Sequence, residues 1–436
     1  VLWWLAACEG ERDRVSDHTG VAVESPCALT PDNPLRVTCA YEGAEATLRI
    51  ADERGERSFS GVDGAVTAWG YAPVTHLSAA LEVDGREVWS GGLVTGPVPD
   101  EVALRFVETL PGESRVERLL FTTACDGGPV TTYLTEPDGS IVWFGRHGLS
   151  GGITGFDATA EGVVVLSGRR WVRELRWDGA IGLDAERDPL EQMVHHAVDV
   201  EGDRVAVLDT RPRVYPDGNT YLDDGVAEVR DGAMVNVFRL GDHLDPQGRT
   251  GYPPSYWQGT FPGAIDAFHL NAVDLLPDGG FLLSAKHLDA LIAVDADGEL
   301  DWVIAGSAFT PDVGDLALTP TAPVSFGFPH HVNRAPWGNL LVLDNGRDFV
   351  DSEVLELAVD EVARTVTPVR RWDLGVSCPV QGSAYGLPDG TVVATCPIER
   401  EVFELDDSGI RRRVRVDCAR GEPGGILIRA KPLPAP

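Results

Sequence analysis

The chain is poor in positive charge. Its 36 lysines and arginines face 68 aspartates and glutamates, a formal net charge of -32. That balance argues against a nucleic-acid ligand, whose binding rests on cationic contacts to phosphate. It also disfavours adsorption to an anionic membrane surface. The dense basic run Arg411-Arg412-Arg413 reads as a solvated strand face. No C-x-x-C pair occurs among the seven cysteines, so zinc-ribbon or dithiol chemistry is not expected. No H-E-x-x-H spacing occurs either. The opening apolar segment, Val1 to Cys8, is too short to cross a bilayer, and no long 3.6-period run follows.

What remains is the composition of a turn-rich β protein. The 436 residues allow a large core and more than one domain. Hydrophobic residues make up 43%, which excludes a disordered chain, and 49 glycines and 30 prolines supply turns. Val1-Leu-Trp-Trp-Leu-Ala-Ala-Cys8 looks like the tail of a secretory signal. Its last four residues resemble a bacterial lipobox, which makes Cys8 the expected lipidation site and residues 1–24 a signal tail and polar tether. Glu9 is not the aspartate associated with inner-membrane retention. The expectation is an exported protein, periplasmic or anchored to the outer membrane, touching the membrane only through its N-terminal lipid. Six cysteines remain, an even number that suits disulfides in an exported chain. Count alone does not choose among connectivities. The layout favours Cys27–Cys39 in a first domain, Cys378–Cys396 across neighbouring strands, and Cys125–Cys418 tying the ends of a closed ring.

Short alternating segments between Ser25 and Val94, such as Leu35-Arg-Val-Thr-Cys39 and Ala46-Thr-Leu-Arg-Ile50, predict a small Ig-like β-sandwich over residues 25–98. Gly96-Pro-Val-Pro-Asp100 reads as a linker. From residue 101 to 436 a looser unit of roughly forty residues repeats, each with strands and an Asp-Gly turn: Glu136-Pro-Asp-Gly-Ser-Ile-Val-Trp143, Glu174-Leu-Arg-Trp-Asp-Gly179, Ala293-Val-Asp-Ala-Asp-Gly298. That period predicts the blades of a β-propeller, and the length fits six. The fold class expected is therefore all-β, a six-bladed β-propeller preceded by a small sandwich. Gly241 to Ile265, with Tyr252, Tyr256 and Trp257, is too long for a plain hairpin and reads as a loop over the central mouth.

Three repeat units open on histidine: His195-His196-Ala-Val-Asp-Val, His269-Leu-Asn271-Ala-Val-Asp, and His330-His331-Val-Asn333-Arg. Equivalent points of a radial repeat meet at its axis, so these imidazoles are expected to converge. Imidazole titrates near neutrality and serves as base, nucleophile or metal ligand. The stretch Asp266-Ala-Phe-His269-Leu-Asn271-Ala-Val-Asp, with Phe328-Pro-His-His331-Val-Asn-Arg-Ala-Pro-Trp-Gly-Asn, resembles the bacterial arylsulfate sulfotransferases that use no nucleotide sulfate donor. The resemblance spans about Val194 to Trp372.

The resemblance implies a ping-pong reaction: a histidine takes the sulfuryl group from an aryl sulfate, releases a phenol, and passes the group to a phenolic acceptor. By motif position His331 is the implied nucleophile, forming sulfohistidine. His269 and Asn271 hold the sulfuryl oxygens and protonate the leaving phenol, and His196 or its neighbour His195 is the upstream histidine. Lys286 stands where the family carries arginine. No cofactor and no metal are implied. Moving a group with anionic oxygens calls for fixed donors and positive charge around the transition state. Lysine supplies charge but not the bidentate fork of arginine. A second departure is Ser352-Glu353, where the family shows Ser-Arg. His330 and His243 read as strand caps, and Asp344-Asn345-Gly346 as a structural turn. Two readings compete with the enzyme. One is a propeller that kept fold and histidines but only binds a ligand or an envelope partner. The other is a metal site of His196, His269 and His331.

Overall fold

The computed structural model describes residues 15–16, 22–23, 25–61, 63–125, 130–149, 151–188, 190–249, 259–307, 310–347, 350, 352–419 and 427–434. Cys8, Tyr252, Tyr256 and Trp257 lie outside them. Among the described residues, every regular element longer than three residues is a β-strand, and no helix is long and apolar enough to cross a membrane. The chain forms two compact units, residues 1–99 with 140–143 and residues 100–139 with 144–436.

In the smaller unit, Cys27–Thr30, Asn33–Ala40 and Ala65–Ala68 form one antiparallel sheet. Gly55–Gly61, Ala46–Asp52, His76–Val83 and Arg86–Val94 form another. Alternate residues point inward, as in His76–Val83, where Leu77, Ala79, Leu81 and Val83 are buried. Inward side chains of both sheets meet in one core that includes Val37, Leu48, Ile50, Val66, Leu81 and Trp89. The Cys27–Cys39 disulfide joins residues directly opposite each other on adjacent strands.

The described residues of the larger unit carry six sheets, antiparallel except where Thr319–Pro320 runs parallel to Thr365–Asp373. In chain order their leading edge strands are Ala430–Leu433, Ile153–Ala158, Met193–Glu201, Leu270–Leu275, Pro329–Arg334 and Ser383–Gly386. From Ile153–Ala158 to Ser383–Gly386 each packs against the next, and Ser383–Gly386 packs against Ala430–Leu433. Inner strands such as Gly162–Ser167 and Phe281–Ala285 are buried along their whole length. Neighbouring sheets cover both faces, so hydrophobic alternation gives way to continuous apolar runs.

The repeated Asp of these edge strands has a structural use. Asp157 accepts the backbone N–H of Val200 at 2.9 Å, Asp199 that of Leu275 at 2.7 Å, and Asp274 that of Arg334 at 3.0 Å. Each carboxylate thus clips one sheet to the next and satisfies a backbone donor there. Asn333, at the equivalent place, donates its amide to the carbonyl of Ala384 in the following sheet. Burial, then the charges of Asp157 and Asp274, pushes the Asp199 carboxyl well up; burial also raises Asp274, to about 7. Lys431 answers this crowd of carboxylates. Its ammonium pairs with Asp157, bringing the last edge strand of the chain back to the first. Burial works against the lysine's charge, but Asp157, Tyr385 and Asp199 outweigh it and keep the group charged.

The two ends of this unit exchange places. The first strand, Leu104–Leu110, completes the sheet of Gly409–Cys418, while the last, Ala430–Leu433, completes that of Arg118–Thr123. Cys125–Cys418, with a sequence separation of 293, bonds these closing segments covalently, and Cys378–Cys396 joins the loop before Ser383–Gly386 to Val392–Cys396. All three pairs are those the layout favours.

Two outcomes follow. Cys418→Ser with Cys125→Ser should lower unfolding stability by about 2–4 kcal/mol, read from denaturant midpoints, because the open chain regains loop entropy. Lys431→Met should cost about 3–5 kcal/mol at neutral pH by leaving Asp157 buried without its cation.

Candidate active site

At one end of the edge strands the backbone departs from regular pairing. The ladder shifts register between Ile153 and Gly155, His195 and Val198, Leu270 and Ala272, and Pro329 and His331. At or beside these points the chain takes positive φ at His196 (52°), His269 (55°) and Phe328 (60°), and again at Gln381 (55°) before the sixth edge strand. A bulge inserts a residue into one strand, bends it and re-aims a side chain. Non-glycine residues in this region are uncommon, and histidine is among those that tolerate it. Four successive sheets therefore turn a side chain out of the strand alternation at one level.

A cavity of about 450 Å³ opens there. All six sheets or their entry loops line it: Thr123, Ile153, His196, His269, His330 and Gln381 are examples, with Lys286 and Ile428. The rings of His196 and His269 lie 4.9 Å apart, and those of His196 and His330 5.5 Å apart. His196, His269 and Lys286 are thus brought together as the repeat argument expects. The other wall is aliphatic, with Val130, Ile153, Val380 and Ile428.

Three expected residues stand elsewhere. His331 is not a cavity-lining residue. Its Nδ1 accepts the backbone N–H of Ala384 at 3.3 Å and lies 3.2 Å from the Asn333 amide nitrogen, and its ring meets the edge of Tyr385. The bulge explains the exchange: His331 keeps its place opposite Leu343, and the inserted His330 swings into the cavity. His195 sits behind His196, their Nδ1 atoms 2.9 Å apart, with its Nε2 3.8 Å from Asp224. Asn271 is fully buried beneath the lining; its amide donates to the Pro329 carbonyl at 3.4 Å. The second departure, Glu353, pairs with Arg371, while Ser352 braces Asn345 and Cys378.

His269 is held by Asp266, whose Oδ2 lies 2.6 Å from its Nδ1. His287 also leans on Asp266, its Nδ1 2.8 Å from the backbone carbonyl. Burial pushes His287 down to about 4 and His195 to about 3. Burial, followed by the charges of His269 and His195, holds His196 well below the usual histidine range. His330 is held down by burial, then by Lys286 and Arg429. These rings are neutral near pH 7, and a neutral imidazole is the nucleophilic form. Burial also lowers Lys286, against the pull of Asp266. Its ammonium stands 5.2 Å from the Phe328 ring.

The ligand atoms of Asp266, His269 and His287 lie within 4.8 Å of one another, a set that could hold a metal ion. Lys286, next in sequence to His287, favours an anion over a cation in this cavity. Sequence reasoning missed Asp266, His287, Arg429 and the cavity role of His330. Asp266 carried a signal, lying three residues before His269. Arg429 carried another, a lone charge inside the apolar run Ile426-Leu-Ile-Arg-Ala430.

No curated protein matches the chain. Solved structures that resemble it include a protein of unknown function from Bacteroides thetaiotaomicron VPI-5482, at 15% identity over 88% of this chain and 94% of that one, TM-score 0.36. A glucose dehydrogenase is 13% identical over 63% of this chain and 89% of that one, TM-score 0.39. Virginiamycin B lyase from Staphylococcus aureus is 10% identical over 71% and 88%, TM-score 0.36. Likeness at this level carries no functional argument. The family comparison is of another kind: the model described as Arylsulfotransferase (ASST) matches residues 115–375, more than half of the length, and the chain belongs to that family.

Proposed function

We propose that this chain transfers a sulfuryl group from an aryl sulfate to a phenolic acceptor through a sulfohistidine, with His330 as the nucleophile in place of His331. Family membership supports arylsulfotransferase activity in general. The observation that carries the finer reading is the cavity itself, where His330 stands with Lys286 and His269 while the Nδ1 of His331 is occupied by Ala384. The six sheets, the Lys431–Asp157 pair and the exchanged terminal strands support a six-bladed β-propeller over residues 101–436. The two sheets around one core support a sandwich over residues 25–98. Three disulfides fit an exported protein; lipidation at Cys8 and a periplasmic or outer-membrane place complete the proposal.

In the first half-reaction the neutral His330 nitrogen attacks sulfur and the bond from sulfur to the aryl oxygen breaks. His269, oriented by Asp266, gives its Nε2 proton to the departing phenolate. Lys286 binds the sulfuryl oxygens as a point charge. The aliphatic wall takes the aryl ring. In the second half the acceptor phenol returns a proton to His269, attacks sulfur and restores His330. His196 packs beside both rings and supplies a neutral hydrogen-bonding edge.

The test uses the purified protein, 4-nitrophenyl sulfate and excess phenol. His330→Ala should reduce phenol-dependent nitrophenolate release by about 10³-fold or more, and His331→Ala by about tenfold or less. The reverse order returns the nucleophile to His331, and no release from the folded wild type sinks the transfer reading. Lys286→Met should lose about 10²-fold in kcat/KM. The nitrophenolate burst should hold its rate from about pH 7.5 to about pH 5.5, because His330 stays neutral where an ordinary histidine protonates. A loss of burst rate centred near pH 6.5 would contradict that.

A further inference from the structure

Arg429 is 2% exposed, and no carboxylate among the described residues pairs with it. It follows Ile428, a cavity-lining residue, and precedes the edge strand Ala430–Leu433 of the first sheet. From there its Nη2 donates to the backbone carbonyl of Asn271, in the fourth sheet, at 3.1 Å. Asn271 in turn donates its amide to the carbonyl of Pro329, the residue before His330 in the fifth. One guanidinium thus connects three sheets through the bulges that shape the cavity. Its Nε has no hydrogen-bond partner among the described residues. Desolvating a guanidinium is costly, and its hydrogen bond to Asn271 places that charge at the bulges that shape the cavity.

We propose that Arg429 is a positioning residue of this site: it fixes Asn271 and, through it, the bulge that presents His330, and it places a permanent positive charge beside that histidine. The proposal rests on the sulfuryl-transfer reading of the cavity. The charge has a direction of action. Other titratable or charged groups around His330 are Lys286 and His269 from the fourth sheet, His196 from the third and His331 on its own strand. Lys286 and Arg429 are the cations among them, and both disfavour a protonated His330, adding to burial.

The experiment compares wild type with Arg429→Met, Arg429→Gln and Arg429→Lys as full chains. Two readouts are taken: the acid limb of kcat/KM for 4-nitrophenyl sulfate, and the His330 ring titration by NMR, assigned with His330→Ala. Loss of the charge in Met and Gln should move both upward by about one pH unit. Arg429→Lys should keep them near the wild-type position. Gln keeps a donor for the Asn271 carbonyl, so it decides the matter if Met does not fold. A merely structural role lowers the melting temperature and leaves limb and titration in place; that result overturns the proposal. If wild type turns over no aryl sulfate, the transfer reading fails, and the NMR titration alone judges Arg429: an unmoved His330 refutes its role, a moved one upholds it.

Discussion

The leading edge strands of the larger unit's sheets pack in succession and bring polar groups together between them, and the carboxylate clips make that tolerable. Each of these Asp carboxyls accepts a backbone N–H from the next sheet. Lys431 then neutralises the remainder at the seam. Without this arrangement the edge strands would carry unpaired donors, and neighbouring sheets would have only apolar contact to set their order. The same clips fix the height at which each strand leaves regular pairing, and the site depends on that height.

The chemistry is built on irregularity. A regular strand sends successive side chains to opposite faces, so two adjacent histidines cannot serve one cavity. The bulge between Pro329 and His331 breaks that rule once, and the choice between His330 and His331 turns on it. The left-handed backbone at His196 and His269 is the same device repeated in two earlier sheets. Holding such conformations requires the surroundings to over-determine them. Here the Lys286 amide donates to the His269 carbonyl, and the Leu270 amide donates to Asp224.

Much of this was legible in the amino-acid order. Turn spacing gave strands without helices, and cysteine placement gave the three pairs. The repeated histidine positions placed His196 and His269 together with Lys286. Parity was not legible. Motif position names His331, while the bulge that brings His330 to the cavity leaves no composition signal. Asn271, which the resemblance implies as a sulfuryl-oxygen contact, donates its amide to the Pro329 carbonyl, a partnership that local sequence does not display. Arg429 escaped because its partners come from segments more than a hundred residues away, and local pattern has no reach over such a distance. Asp266 lay within reach, since carboxylate and imidazole three apart form a pair once the turn between them tightens.

The exchange of terminal strands bears on when the site comes into being. The cavity takes Thr123 and Ala124 from near the start of the larger unit and Ile428 from near its end. The strand that carries Lys431 pairs with Arg118–Thr123, which is synthesised some three hundred residues earlier. A nascent or truncated chain can therefore build the middle sheets but has neither seam nor cavity floor. Assembly of this cavity waits on contacts of very long sequence separation, and such contacts form slowly. An incomplete polypeptide of this kind lacks the complete cavity, whatever histidines it already displays.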